Sequence, residues 1–375
     1  MRGEDTLESL SVQFEAAKLS AASGEPDKIV TIDPNVPCKY DSQLGMFGAS
    51  PNITFGLLTG PQERPTILIH QARHIAKEVW PKVRRYYEYY LNEQWTLFGD
   101  AGTQLFSDWR EADASCVRHA QADNALIFSL GRLICDHDLM MKFRDAFYAH
   151  HARALEKSSY VSFLRAQEAA GRLREDIGRL FEVADHFMRS YEAWVPGMTR
   201  WLLSPDMEAS VSSLRLYRDD FSVLRDIYQQ AFEAFCKLIR YVVLSLNAAE
   251  RNDVMDFGHT APARVSDHRR HPVGSLNRFD KLANADKIAY LCNDHAMADW
   301  ADSVLDRRMR NAIGHNSVRH DLRTGQVTID SSREISYFEF TAHVYRVLYM
   351  LVAGFSVLRA GRFTGSPDSV VPESQ

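Results

Sequence analysis

The chain has 375 residues, 45% hydrophobic and 25% charged, the balance of an ordinary globular protein long enough for two domains or one elaborate one. A formal charge of −5 argues against indiscriminate attraction to nucleic acid. The five cysteines are scattered, odd in number and without a CxxC pair, so neither a disulfide framework nor a zinc ribbon is suggested, and a reducing, cytoplasmic setting is the plain reading.

Residues 1–22 predict an amphipathic helix, and Glu4, Asp5, Glu8 and Glu15 stand where a signal peptide needs a basic start. Residues 23–65, rich in Pro, Gly, Asn and Asp, predict irregular structure with a short strand or two. From Thr66 onward, apolar residues recur at spacings of three and four, predicting helices over 66–95, 111–138, 139–157, 160–195 and 206–250. Pro81 should start a new helix or kink the first. Val195-Pro196-Gly197 and Ser204-Pro205 interrupt the pattern and place a domain boundary there. The N-terminal domain, 1–205, is mostly helical, with a sensing, partner-binding or inhibitory role.

The second domain, 206–362, opens on the cleanest stripe, Phe221, Leu224, Tyr228, Ala231, Phe235, Leu238, Val242 and Leu246. Residues 251–274 lack periodicity and read as a long loop. Met297, Ala301, Leu305, Met309 and Ala312 form one face of a single helix ending near Gly314. A hairpin is expected around Thr324-Gly325. A capping box, Ser336 with Glu339, then opens the last helix, with Ile335 and Phe340 as its hydrophobic staple, running to about Leu358. Its apolar stretch, Val347–Leu358, is too short to cross a bilayer, so a buried helix and no membrane partner are expected. Residues 363–375 read as a disordered tail. The fold class is mainly α, a helical bundle with a small β-hairpin in its C-terminal part.

Chemistry concentrates in Arg310-Asn311-Ala312-Ile313-Gly314-His315. Metal-free RNA cleavage needs a base for the ribose 2′-hydroxyl, an acid for the leaving 5′-oxygen and a cation for the phosphate. Histidine serves as acid or base near neutral pH. Arginine stays charged and matches phosphate oxygens with a planar fork. Asn311 would orient either group or hold a ribose or phosphate oxygen. In one regular helix, residues five apart are separated by about 140° around the axis. Arg310 and His315 therefore converge only if the helix ends at Gly314 and His315 swings back, or if a second chain completes the site through a two-fold axis. Arg307, Arg308, Arg319 and Arg323 surround the segment as candidate RNA-binding residues. Arg264, Arg269, Arg270 and Arg278 decorate the preceding loop. An ordinary solvated arginine-rich surface is the plainer alternative for both clusters.

The bare Arg-to-His spacing recurs at Arg64/His70, Arg144/His150 and Arg179/His186; what distinguishes Arg310/His315 is the asparagine, the helix end, the hairpin and the apolar helix that follows. In that context the region from about 206 to 360 resembles the C-terminal half of HEPN domains, helical modules of prokaryotic RNA-cleaving toxins and defence proteins. The resemblance implies a metal-independent endoribonuclease with a composite site at a homodimer interface, acting on RNA in antiphage defence or a toxin system without a cofactor. It also implies a trigger or regulatory protein, bound by the N-terminal half. Non-catalytic HEPN domains imply the alternative, an interaction or nucleotide-binding scaffold. Some HEPN toxins carry a tyrosine two residues after the histidine; Ser317 stands there, so control by modifying it is not expected.

Three other clusters have plainer readings. His70 and His74 lie one turn apart with Gln71 where a zinc protease needs glutamate, and no third ligand is near. Cys135-Asp136-His137-Asp138 are adjacent residues, which seldom converge on a metal. Tyr86-Tyr87-Glu88-Tyr89-Tyr90 fits core packing better than base stacking.

Overall fold

The computed structural model describes residues 38–41, 46–47, 64–110, 112–200, 214–216, 220–258, 273–330 and 333–369. The helix expected over 1–22, most of 23–65 and the middle of the 251–274 loop, including Arg264, Arg269 and Arg270, lie outside the described residues. Two short strands do occur before Thr66: β1 (Cys38–Asp41) pairs antiparallel with β2 (Met46–Phe47) and, on its other side, with β3 (Leu214–Arg215).

The rest is mainly helical. Helix α1 (Arg64–His74) passes through a π-helical turn, Ile75–Val79, into α2 (Trp80–Leu91). Pro81 follows directly on the π-helical turn, in the first turn of α2, so it alters the helix at that point without ending it. There follow α3 (Trp95–Leu105), α4 (Ser115–Gly131), α5 (His137–Leu155), α6 (Ser158–Ala169), α7 (Arg172–Arg189) and α8 (Tyr191–Thr199). The tyrosine run is core: Tyr86, Tyr87 and Tyr90 are buried, and Tyr86 stacks on Phe98 at 4.3 Å. The Asp136 carboxylate accepts the Leu139 N–H at 2.9 Å and caps α5.

Beyond β3 comes α9 (Phe221–Arg251), whose expected stripe is buried from Leu224 to Leu246, with Phe221 half-buried. It is followed by α10 (Leu276–Asp280), α11 (Asn284–Leu291), α12 (His295–Val304) and α13 (Arg307–Gly314). A three-stranded antiparallel sheet, β4 (Arg319–Asp321), β5 (Gln326–Thr328) and β6 (Glu334–Ser336), contains the expected hairpin, with Gly325 at φ +65° in its turn. The Ser336–Glu339 capping box then opens α14 (Tyr337–Tyr345), and α15 (Val347–Gly365) completes the bundle.

Four expectations need correction. Val195-Pro196-Gly197 does not break the chain but lies inside α8, where a glycine is needed for contact: a Cβ on Gly197 would stand 2.2 Å from the Thr341 carbonyl oxygen of α14. The single helix expected from Met297 to Ala312 is two, because Asp306 adopts an extended backbone and caps α13 through the Met309 N–H at 3.0 Å. The last helix divides at Arg346 and runs on to Gly365. Residues 363–369 are not a loose tail: Asp368 accepts hydrogen bonds from the Ser115 hydroxyl at 2.8 Å and the Cys116 N–H at 3.2 Å, capping α4.

Nor does the boundary at 205 separate one core from another. Every residue of α15 except Arg359 and Phe363 is buried, and a helix apolar around its whole circumference needs neighbours on all sides. It takes them from α4, α5, α6 and α7 of the first half and from α9 of the second, so buried apolar residues from Ala72 to Ala360 form one cluster. Taken together, Tyr337–Gly365 is long and apolar enough to span a membrane by composition, yet 89% of its most apolar window is buried within the protein.

Candidate active site around helix α13

Helix α13 leans on α9 through Met309, Ala312 and Ile313, which are buried. That orientation leaves Arg307, Arg308, Asn311, Gly314 and His315 exposed, with Arg310 half-buried at the edge facing α9. The break before it is fixed by Tyr228 of α9, whose hydroxyl accepts the Asp306 N–H at 3.1 Å and donates to the Asp306 carbonyl at 3.2 Å. Both backbone groups that helix interruption would orphan are thereby satisfied.

The end of α13 is a Schellman motif. The Asn316 N–H bonds to Ile313 O at 2.9 Å and the Ser317 N–H to Ala312 O at 2.8 Å, with Asn316 in the left-handed region at φ +53°. His315 is thus the C-cap residue, its imidazole exposed at the corner where the chain turns toward β4. The Ser317 hydroxyl reinforces the motif by bonding Ala312 O at 3.0 Å.

Arg310 does not meet His315. Its Nε donates to Glu233 Oε1 of α9 at 2.8 Å, its Nη2 bonds the same oxygen, and its Nη1 reaches Asn311 Oδ1 at 3.3 Å. Glu233 in turn accepts from Asn284 Nδ2 at 2.8 Å through its other oxygen. The arginine and asparagine of the segment are therefore brought together, and the histidine stands apart. Arg307 and Arg308 lie at the opposite end of α13, Arg319 on β4 and Arg323 in the hairpin turn, all four exposed. Arg278, from the second arginine cluster, is exposed on α10.

Two residues missed in the sequence shape this region. Besides Glu233, Arg225 donates from Nη1 to Asn316 Oδ1 at 3.5 Å, bringing a cation to the His315 corner. Arg225, Gln229 and Glu233 recur at intervals of four along α9, a polar edge on an otherwise apolar stripe, and that spacing was the available signal. Glu233 also lines an open groove of about 520 Å³ between α7 and α9, with Arg179, Glu182, Asp226, Gln230 and Lys237.

Similarity to known proteins decides nothing here. No family model, curated protein or solved structure matches the chain. What the segment can do chemically follows from its own geometry: an exposed imidazole, a guanidinium whose charge is balanced within the chain by Glu233, and an amide between them. Among the described residues, no group of three or more His, Cys, Asp or Glu side chains is arranged to hold a metal ion. His70 and His74 are both exposed.

In two of the competing Arg/His pairs the histidine has other partners. Arg144 pairs with Asp145 on the surface, while His150 is buried and hydrogen-bonds Asp294 at 2.9 Å and Arg153 at 2.7 Å. His186 meets Gln230 at 3.3 Å. A further polar network, invisible in the sequence, lies between α2, α4, α6 and α15. Arg362, 3% exposed, stands 3.7 Å from Glu168 and over the Tyr90 ring, while Asp123 accepts the Tyr87 hydroxyl at 2.9 Å. Burial pushes the Asp123 carboxyl up to about 6 against the opposing pull of Arg362.

Proposed function

We propose that the protein is a metal-independent endoribonuclease of HEPN type, acting in the cytoplasm in antiphage defence or a toxin system, with its site completed across a homodimer. The observation that carries the reading is the Schellman end of α13, which presents His315 to solvent one turn beyond Arg310-Asn311. In one chain these groups do not converge, so a two-fold partner must supply the second set. Leu322, 70% exposed at the hairpin tip beside Arg323, offers an apolar contact for that partner. Catalysis would follow general acid–base chemistry: one His315 removes the 2′-hydroxyl proton, the other protonates the 5′-oxygen, and Arg310 stabilises the phosphate. Arg307, Arg308, Arg319 and Arg323 would hold the RNA backbone.

The Arg310–Glu233 pair favours a second reading, a non-catalytic interaction or nucleotide-binding scaffold in which Arg310 is a structural anchor. One experiment separates them. Purified protein is incubated with mixed cellular RNA in EDTA, beside His315→Ala and Glu233→Gln. The ribonuclease reading expects cleavage to 2′,3′-cyclic phosphate ends, a loss of roughly 10²-fold or more in His315→Ala, and faster cutting by Glu233→Gln, whose Arg310 is released toward phosphate. Cleavage equal in the parent and in folded His315→Ala would refute it. An inactive Glu233→Gln that is also less stable is the signature of the scaffold.

A further inference from the structure

Helix α14 turns one stripe, Glu339, Ala342, His343 and, just past its end, Arg346, toward a pocket of about 270 Å³ that Arg200 closes from the end of α8. The volume is below that of pockets built for drug-sized ligands, so a compact occupant is indicated. Its charge is lopsided. Glu339 is engaged as a helix cap, accepting the Ser336 N–H at 2.9 Å and the Ser336 hydroxyl at 3.0 Å. Behind the pocket Arg333 donates to Asp306 at 2.8 Å and to His343 Nε2 at 3.2 Å. A guanidinium only donates, so His343 accepts there and is neutral.

Arg346 is different. It is half-buried, and its guanidinium makes no hydrogen bond or ion pair with any described residue. Burial lowers its pKa below the ordinary arginine value despite the attraction of Tyr228 and Asp306, which marks a cation whose lost hydration the described residues do not fully repay. Burial, joined by Arg346, Arg333 and Arg200, likewise pushes His343 down to about 3. Two arginines, Arg346 and Arg200, line this small cavity beside one carboxylate, Glu339, that is already engaged as a helix cap, and the half-buried Arg346 fork is the donor set open to an anion.

We propose that this pocket binds a phosphoryl group, held by the Arg346 guanidinium fork, with Arg200 adding positive charge at the pocket wall. Planar arginine forks match tetrahedral phosphate oxygens bidentately, which a point charge does not. The inference is independent of the ribonuclease reading, since no residue of the pocket belongs to the Arg310–His315 segment.

The test is calorimetric titration of the full chain with inorganic phosphate, pyrophosphate and adenosine 5′-monophosphate at constant ionic strength. The variants are Arg346→Gln and Arg200→Gln, with circular dichroism and thermal melting to establish folding. Saturable binding by the parent, weakened roughly 10- to 100-fold in a folded variant, is expected from losing charge-assisted hydrogen bonds. Equal affinity for phosphate and the nucleotide assigns the pocket to the phosphoryl group alone; tighter binding of the nucleotide extends it to the attached nucleoside. No binding of any of the three anions, or binding unchanged in both folded variants, overturns the proposal.

Discussion

Asp306 meets three demands with one side chain. Its Oδ1 caps α13 at the Met309 N–H, its Oδ2 receives Arg333, and the same oxygen lies 3.8 Å from His343 Nδ1. Burial alone would raise its carboxyl, yet the Met309 N–H and Arg333 outweigh it and hold it below the usual carboxylate range. Two substitutions separate the roles. Asp306→Asn keeps a good capping oxygen and loses the charge, whereas Asp306→Ala loses both and leaves Arg333 without its carboxylate. Urea denaturation should show Asp306→Ala destabilised by roughly 2–4 kcal/mol and Asp306→Asn by less. Equal losses would mean that the cap contributes nothing and the ion pair is the whole effect. The pairing of Arg310 with Glu233, 77 residues away, belongs to the same scale: the motif was legible, its neutralising partner was not.

At the scale of elements, what the sequence made legible was local. The capping box at Ser336, the hairpin at Gly325 and the helix end at Gly314 each depend on residues within a few positions of one another, and all three are found. The break at Asp306 was not legible, because the apolar stripe through Leu305 and Met309 continues across it and the group that permits the break, Tyr228, lies 78 residues upstream. Pro196 misled for a related reason. Its neighbour Gly197 reads as a helix breaker but is a contact point, letting α8 reach the α14 backbone at Thr341. In an exposed helix Gly→Ala stabilises by about 0.5–1 kcal/mol. Here the added methyl must displace main chain, so Gly197→Ala should destabilise by roughly 1–3 kcal/mol instead. A thermal melt reads the sign directly, and a raised Tm would mean that α8 and α14 slide apart without cost.

The whole molecule carries a built-in acid sensitivity. Burial pushes His151 down to about 4, where it meets the Tyr160 hydroxyl at 3.0 Å, and His343 down to about 3. Both fold neutral, while in the unfolded chain they take up protons near 6.5. Their contribution is therefore complete above pH 6.5 and is lost as pH falls toward 4, at up to about 1.4 kcal/mol per pH unit for each histidine. Asp123 acts in the opposite sense. Its folded value of about 6 exceeds the unfolded 3.8, so protonation stabilises the fold as pH falls through that window. Urea midpoints should drop from pH 7.5 to pH 5, less steeply in His151→Gln and more steeply in Asp123→Asn. A midpoint that does not change over that interval contradicts the neutral burial of the two histidines.

Helix α15 follows in chain order every helix it packs against, and translation therefore imposes a waiting period. Helices α4 to α7 and α9 emerge from the ribosome while the element that fills the space between them has not been made. Their apolar faces must stay open to solvent, or to chaperones, for as long as synthesis takes to pass Val347. A nascent chain stalled at Arg346 should be digested throughout by protease, and one stalled well beyond Ser369 should yield a resistant body. Protection of α4 to α7 at the shorter length would show that the early helices close a core of their own before their centre arrives.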